Sequence, residues 1–279
     1  MKAYIRLLRP KHCIKNILVM LPLVFSGRLF ERALLGQTAA AFVAFCLVAS
    51  LVYIINDIKD AERDRQHPTK CRRPIASGAV SQSHAAVEAM VLAILLGAMG
   101  IWIGFSWKSW LCLMAYLVLN LGYSMGLKHI PILDIAILVS GFLLRVLFGS
   151  AVTGIATSGW LYLTVTSVAF YMGLSKRRGE LRTSSETTRR VLRYYNDAFL
   201  SQNMQMCLTL AVVFYSLWSV DRGGHLMWTV PLVMCICLRY SMVVEGNSDG
   251  DPVEVVFQDK VLLVLACVFG AITLALLYI

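Results

Sequence analysis

The sequence predicts an all-α, polytopic integral membrane protein. Three observations carry the prediction. Hydrophobic residues make up 58% of the 279 positions and charged residues only 15%, where a soluble domain is nearer one half and one quarter. The mean hydropathy is +0.68. Uncharged apolar runs long enough to cross a hydrocarbon core recur along the whole chain. The formal net charge is +10. On a soluble protein this would suit nucleic acid, but here the cations sit in short connections between apolar runs. The bilayer and anionic ligands are therefore the expected partners, and nucleic acid is not.

Nine spans follow in order, within a single domain over 1–279. The segment 14–27 follows the basic flank Lys2, Arg6, Arg9, Lys11 and Lys15. It is short, and Pro22 predicts a break or a tilt in it. The segment 36–55 lies between Arg28 and Arg32 on one side and the charged stretch Lys59 to Arg73 on the other. Segments 84–105 and 109–126 flank Lys108. Lys128 separates them from 132–152, and 159–175 ends against Lys176. The segment 199–219 runs from the cations before Arg193 to Arg222, 226–244 carries Arg239, and 260–279 begins at Lys260. Every second connection, starting at the N-terminal flank, is the basic one. The others hold only Arg28, Arg32, Lys108 and Arg222. The positive-inside rule then places the N-terminus in the cytoplasm and the C-terminus outside. No small-residue cleavage site follows the first apolar run, so a cleavable signal peptide is not expected.

Two cytoplasmic connections are long, about Asn56 to Ser83 and about Lys176 to Phe199, and such loops tend to carry function. If the helix before it continues into the first, Asp57, Asp60 and Asp64 fall at i, i+3 and i+7 on one face. No lysine on that face neutralises them, so a cation is expected there. Oxygen ligands with room for water and phosphate suit Mg²⁺, and Asn56 could add an amide oxygen. Lys70, Arg72 and Arg73 follow closely. Carboxylates for a metal and cations for the remaining charge together suit a metal–diphosphate ligand. The plain alternative is a solvated interfacial loop with incidental ion pairs.

The pattern N-D-x-x-D-x-x-x-D at Asn56, Asp57, Asp60 and Asp64 resembles the first aspartate-rich motif of the UbiA superfamily of intramembrane prenyltransferases. That resemblance implies a bundle of nine transmembrane helices, matching the spans above. The stretches RPKHCIKN from Arg9, HPTKCRRPIASG from His67, YSMGLKHIPILD from Tyr123, SKRRGEL from Ser175 and GDPVEVVFQD from Gly250 are similar to its polyprenyl-phosphate phosphoribosyltransferase branch. The branch implies Mg²⁺ as cofactor, phosphoribosyl diphosphate as donor, a polyprenyl phosphate as acceptor and a role in making an arabinose donor for the cell envelope. It also implies a bacterial inner membrane with the active site facing the cytoplasm. Ordinary members carry a second aspartate-rich motif after the sixth helix, where this chain has the mostly cationic Lys176-Arg177-Arg178-Gly179-Glu180. The additional 5-phosphate of phosphoribosyl diphosphate favours cations there. An aromatic prenyltransferase using an isoprenyl diphosphate, and a non-enzymatic lipid-phosphate carrier, are the alternatives.

Tyr123, Lys128 and Asp134 surround the fourth connection and could bind phosphate or hydroxyl groups. Otherwise they are an interfacial tyrosine and a snorkelling lysine. Arg145 lies inside an apolar run, where an arginine faces a cavity or a partner. Lys176 and Arg177 stand at the right depth for a phosphate. Glu180 could hold a metal or a ribose hydroxyl, and Lys15 and Asn16 could line the cavity. The Asp249-Gly250-Asp251-Pro252 stretch reads as a turn leading into a helix start. The eight cysteines show no zinc or disulfide spacing and read as small buried apolar residues.

Overall fold

A computed structural model describes residues 2–66, 69–183, 190–246 and 252–278. Every regular element among them is helical, and no strand occurs. Apart from four short 3₁₀ segments (Lys70–Arg72, Leu127–His129, Arg190–Tyr194 and His225–Thr229), these are in order α1 (Lys2–Leu7), a 3₁₀ segment (Pro10–Met20), α2 (Leu21–Val24), α3 (Arg32–Lys59), α4 (Ala61–Arg65), α5 (Gln82–Ile103), α6 (Trp107–Met125), α7 (Leu133–Thr153), α8 (Gly159–Thr183), α9 (Asp197–Asp221), α10 (Val230–Glu245), α11 (Pro252–Gln258) and α12 (Lys260–Tyr278). Among the described residues six helices are long and apolar enough to cross a membrane: Arg32–Lys59, Gln82–Ile103, Leu133–Thr153, Asp197–Asp221, His225–Glu245 and Lys260–Tyr278. The first predicted segment is not one regular helix. It is 3₁₀ up to Met20, and Pro22 stands at the start of the four-residue α2, the break that its proline predicts.

The long connections are shorter than they read. The helix α8 runs on past Lys176 to Thr183, because Arg, Glu and Leu are good helix formers once the apolar run has ended. The first connection carries α4 and a 3₁₀ turn at Lys70–Arg72. His67 and Pro68, residues 184–189, and Asp249, Gly250 and Asp251 lie outside the described residues. The helix α11 begins at Pro252, as an Asp-Pro helix start requires.

The chain forms two compact units, one from Met1–Met125 with Leu144–Ile155, the other from Gly126–Leu143 with Ala156–Ile279. In the first, α3 is the interior helix. Its apolar window is 56% buried, against 11% for α12 in the second unit, so a side chain at the end of α3 is enclosed on more sides. Phe45, Val48 and Val52 of α3 pack with Tyr116, Leu113 and Phe148. Gly149 lets the 3₁₀ segment come close, since a Cβ there would stand 2.0 Å from the Val19 carbonyl oxygen. In the second unit the core gathers Ile135, Val139, Tyr171, Leu200, Met204 and Tyr240. Ser81 and Asn196 cap α5 and α9 by accepting from the amides of His84 and Phe199. Asp259 accepts from the Leu262 amide at the start of α12 and pairs with Arg239 of α10 at 2.7 Å. That arginine holds the Asp259 carboxyl below the usual carboxylate range. The cysteines are free; Cys207 is buried, whereas Cys235 and Cys267 are exposed, where lipid rather than core is the apolar surrounding.

Candidate active site

The aspartate stretch does not form one uninterrupted helix. The helix α3 ends at Lys59, and Asp60 leaves helical geometry at φ −90° and ψ 3°. The i→i−4 bonds from the Asp60 amide to Asn56 and from the Asp64 amide to Asp60 nevertheless carry the register across the junction. Asp57 and Asp64 are each 2% exposed. Their neutralisation comes from arginines outside that face. Arg73 Nη1 donates to Asp64 Oδ2 at 2.6 Å and to Asp57 Oδ1 at 3.1 Å. Arg9 Nη2 donates to the same Asp57 oxygen at 2.6 Å. Asp60 pairs with the exposed Arg63 at 3.5 Å. Asn56 accepts from the Ser124 hydroxyl at 2.6 Å, and Arg72 is exposed.

Arg9 was not among the expected site residues. It is one of five cations in the N-terminal flank and precedes Pro10, which is a weak signal. In the structure its backbone is left-handed, φ 49° and ψ 58°, sparsely populated for a residue with a Cβ. Its guanidinium lies over the Tyr53 ring at 4.7 Å, so ring and carboxylate together fix it.

The donor set suits a divalent cation. The carboxylates are hard oxygen donors, and Asp57 Oδ2 is buried with no hydrogen-bond partner among the described residues, an arrangement that is costly unless something takes that lone pair. Among the described residues no group of three His, Cys, Asp or Glu is gathered tightly enough to share one ion. Arg73 stands between the two carboxylates that are closest to doing so.

A second polar cluster lies in the other unit. Asp134 and Arg177 are fully buried and paired, Nε to Oδ2, at 2.5 Å. Arg177 Nη1 also donates to Glu180 at 2.7 Å. Tyr195 donates to Asp134 Oδ1 at 2.6 Å and accepts from the Ile132 amide at 2.7 Å. Ile132 has φ +67°, an outlier for a β-branched residue. Burial first, and then the bond to Asp134, push the Tyr195 phenol up to about 12. Arg178 bonds Ser201 and pairs with Glu245 at 2.6 Å. Tyr195 carries no motif or spacing that marks it before folding. Lys128 and Lys176 are half-buried.

Arg145 is 6% exposed. Its Nε donates to Asn16 Oδ1 at 2.8 Å and its Nη2 to the Tyr116 hydroxyl at 3.3 Å, with its charge over the Phe45 and Tyr116 rings. Asn16 donates in turn to Cys46 Sγ. This network ties the 3₁₀ segment to α7, α6 and α3. Lys15 and Tyr123 are half-buried.

Apolar spans with acids and arginines gathered where one of them ends describe a helical membrane protein with a charged site at the end of a span. The chain belongs to the UbiA prenyltransferase family, whose model matches residues 19–261. Among its relatives, the decaprenyl-phosphate phosphoribosyltransferase of Corynebacterium glutamicum is 36% identical over 94% of this chain and 82% of its own length. That of Mycolicibacterium smegmatis is 36% identical over 94% and 88%. Among solved structures, a UbiA homolog from Archaeoglobus fulgidus bound to GPP and Mg²⁺ aligns with a TM-score of 0.75. It does so at 16% identity, over 99% of this chain and all of that one, which shows the fold. The fold is therefore UbiA-like and all-helical, and the chain is an enzyme of the transferase class.

Proposed function

We propose that the chain transfers the 5-phosphoribosyl group of phosphoribosyl diphosphate to a polyprenyl phosphate and releases diphosphate, for the synthesis of an arabinose donor for a cell envelope. The observation that carries the reading is the buried Asp57–Asp64 pair with Arg73 and Arg9 upon it, at the end of an apolar helix. The relatives' shared name supports the same reaction. Asp57, Asp64 and Asp60, with Asn56, would hold a divalent cation, Mg²⁺ by ligand type. When bound, the cation supplies charge neutralisation for a departing diphosphate. Arg9, Lys70, Arg72 and Arg73 take phosphate charge through charge-assisted hydrogen bonds. An oxygen of the lipid phosphate, already ionised, attacks ribose C1 as the bond to diphosphate breaks, with inversion at C1. No protein base is required.

Lys176 and Lys128 in the second unit, and Tyr123 in the first, remain proposed phosphate contacts. Asp134, Arg177 and Glu180, being bonded to one another, act by shaping that region. Arg145 and Asn16 hold the 3₁₀ segment in place, and Lys15 next to Asn16 lines the cavity. Nine spans, a cytoplasmic N-terminus and an active site on the cytoplasmic face of a bacterial inner membrane belong to the same proposal.

The test is incorporation of label from phosphoribosyl diphosphate into an organic-extractable lipid by purified protein with polyprenyl phosphate. Label is expected only with Mg²⁺, and Asp57→Asn is expected to abolish it in a protein that stays folded in detergent. Activity with an isoprenyl diphosphate and an aromatic acceptor instead would assign the chain to the aromatic prenyltransferases. Absence of both would overturn this choice of donor and acceptor.

A further inference from the structure

We infer that Arg73 is an exchangeable placeholder between Asp57 and Asp64: a divalent cation must displace it, and an incoming diphosphate draws it off, so that metal and diphosphate each favour the other's binding. The inference rests on the reading of this cluster as a metal–diphosphate locus.

One atom, Arg73 Nη1, touches an oxygen of each carboxylate, at 3.1 and 2.6 Å. A Mg²⁺ ion shared by those oxygens would lie about 2.1 Å from each, so ion and guanidinium need the same space. They also repel one another there, in a place where both aspartates are shielded from water. The side chain of Arg73 is 30% exposed, while its aspartate partners are 2% and 3%. The arginine therefore has somewhere to go and the carboxylates do not. Its backbone is extended, φ −65° and ψ 146°, following the 3₁₀ turn Lys70–Arg72 and preceding Pro74, which disfavours the helical region for it. The side chain can thus swing from a fixed root. A guanidinium released from carboxylates matches phosphate oxygens in fork geometry. Meanwhile Asp57 Oδ2, buried and without a partner among the described residues, offers an oxygen that does not depend on Arg73 leaving. Arg9 also holds Asp57, but it touches no oxygen of Asp64, so it does not bridge the pair. Coupling of this kind is reciprocal: whatever factor diphosphate adds to metal affinity, metal adds to diphosphate affinity.

The experiment measures Mn²⁺ binding to the full chain in detergent, by loss of the free-ion paramagnetic resonance signal, with thermal stabilisation by Mn²⁺ as a second readout. Arg73→Gln is expected to bind Mn²⁺ alone about tenfold more tightly than the wild type, within the usual range of coupling, and to gain more thermal stability from it. Arg73→Lys, which keeps the charge, is expected to stay near the wild type. Inorganic diphosphate, corrected for its own chelation of Mn²⁺, should tighten binding to the wild type and much less to Arg73→Gln. Equal or weaker Mn²⁺ binding by a folded Arg73→Gln overturns the placeholder. Absence of Mn²⁺ binding by wild type and variants alike, with or without diphosphate, overturns the metal reading of the aspartates instead.

Discussion

Replacing Asp134 by leucine removes one partner of an ion pair in which both side chains are 0% exposed. A buried charge stripped of its counter-ion costs about 3–5 kcal/mol. Here the cost should fall near the lower end, about 3 kcal/mol, because Glu180 remains 2.7 Å from Arg177 and is itself 25% exposed. Tyr195 also loses an acceptor, worth about 1 kcal/mol or more for an orphaned hydroxyl. At about 2–4 °C per kcal/mol for a chain of this order, Asp134→Leu should lower Tm in detergent by roughly 8–16 °C. The decisive comparison is the double variant Asp134→Leu/Arg177→Met. Replacing both charges by apolar groups of similar size is often neutral, so the double variant should be more stable than Asp134→Leu alone and keep only the Tyr195 deficit. The assay is thermal unfolding of the wild type, Asp134→Leu, Arg177→Met and the double variant in one detergent, read as a double-mutant cycle. If the double variant were as destabilised as the two single variants summed, Arg177 would not depend on Asp134 for its charge balance. The buried pair would then be incidental.

Two further outcomes follow from single contacts. Gly149→Ala puts a Cβ 2.0 Å from the Val19 carbonyl oxygen; backbone must move, and a loss of about 1–3 kcal/mol is expected, read as a lowered Tm, whereas an unchanged Tm would mean that the 3₁₀ segment does not pack there. Tyr195 keeps its proton to about 12 when folded, against 10 for an ordinary phenol. Its share of stability is complete below 10 and falls as pH rises from there through about 12, since only the unfolded chain releases the proton in that window. Subtracting the tyrosinate absorbance of Tyr195→Phe from that of the wild type should show the missing phenol titrating near 12. Titration near 10 would refute the bond to Asp134.

The spans were written locally. Segments 36–55, 132–152 and 226–244 became helices Arg32–Lys59, Leu133–Thr153 and His225–Glu245, because a long, mostly apolar run has one stable fate in a bilayer, even where it holds Asp134 and Arg145 or Arg239. Pro22 likewise announced the broken first segment. The reach of α8 to Thr183 was hidden, because polarity was read as loop while Arg177 and Glu180 were pairing one turn apart. The aspartates were legible from their spacing, but not what neutralises them. Arg9 lies 48 residues from Asp57, Tyr195 lies 61 from Asp134, and Arg145 lies 129 from Asn16. A buried charge takes its partner from whatever the packing brings within about 3 Å, at any separation along the chain. Composition alone thus determined a membrane-spanning helical chain with acids and bases at its helix ends. Only the tertiary structure decided that Arg73 would lie between Asp57 and Asp64, and that Asp134 would belong to Arg177.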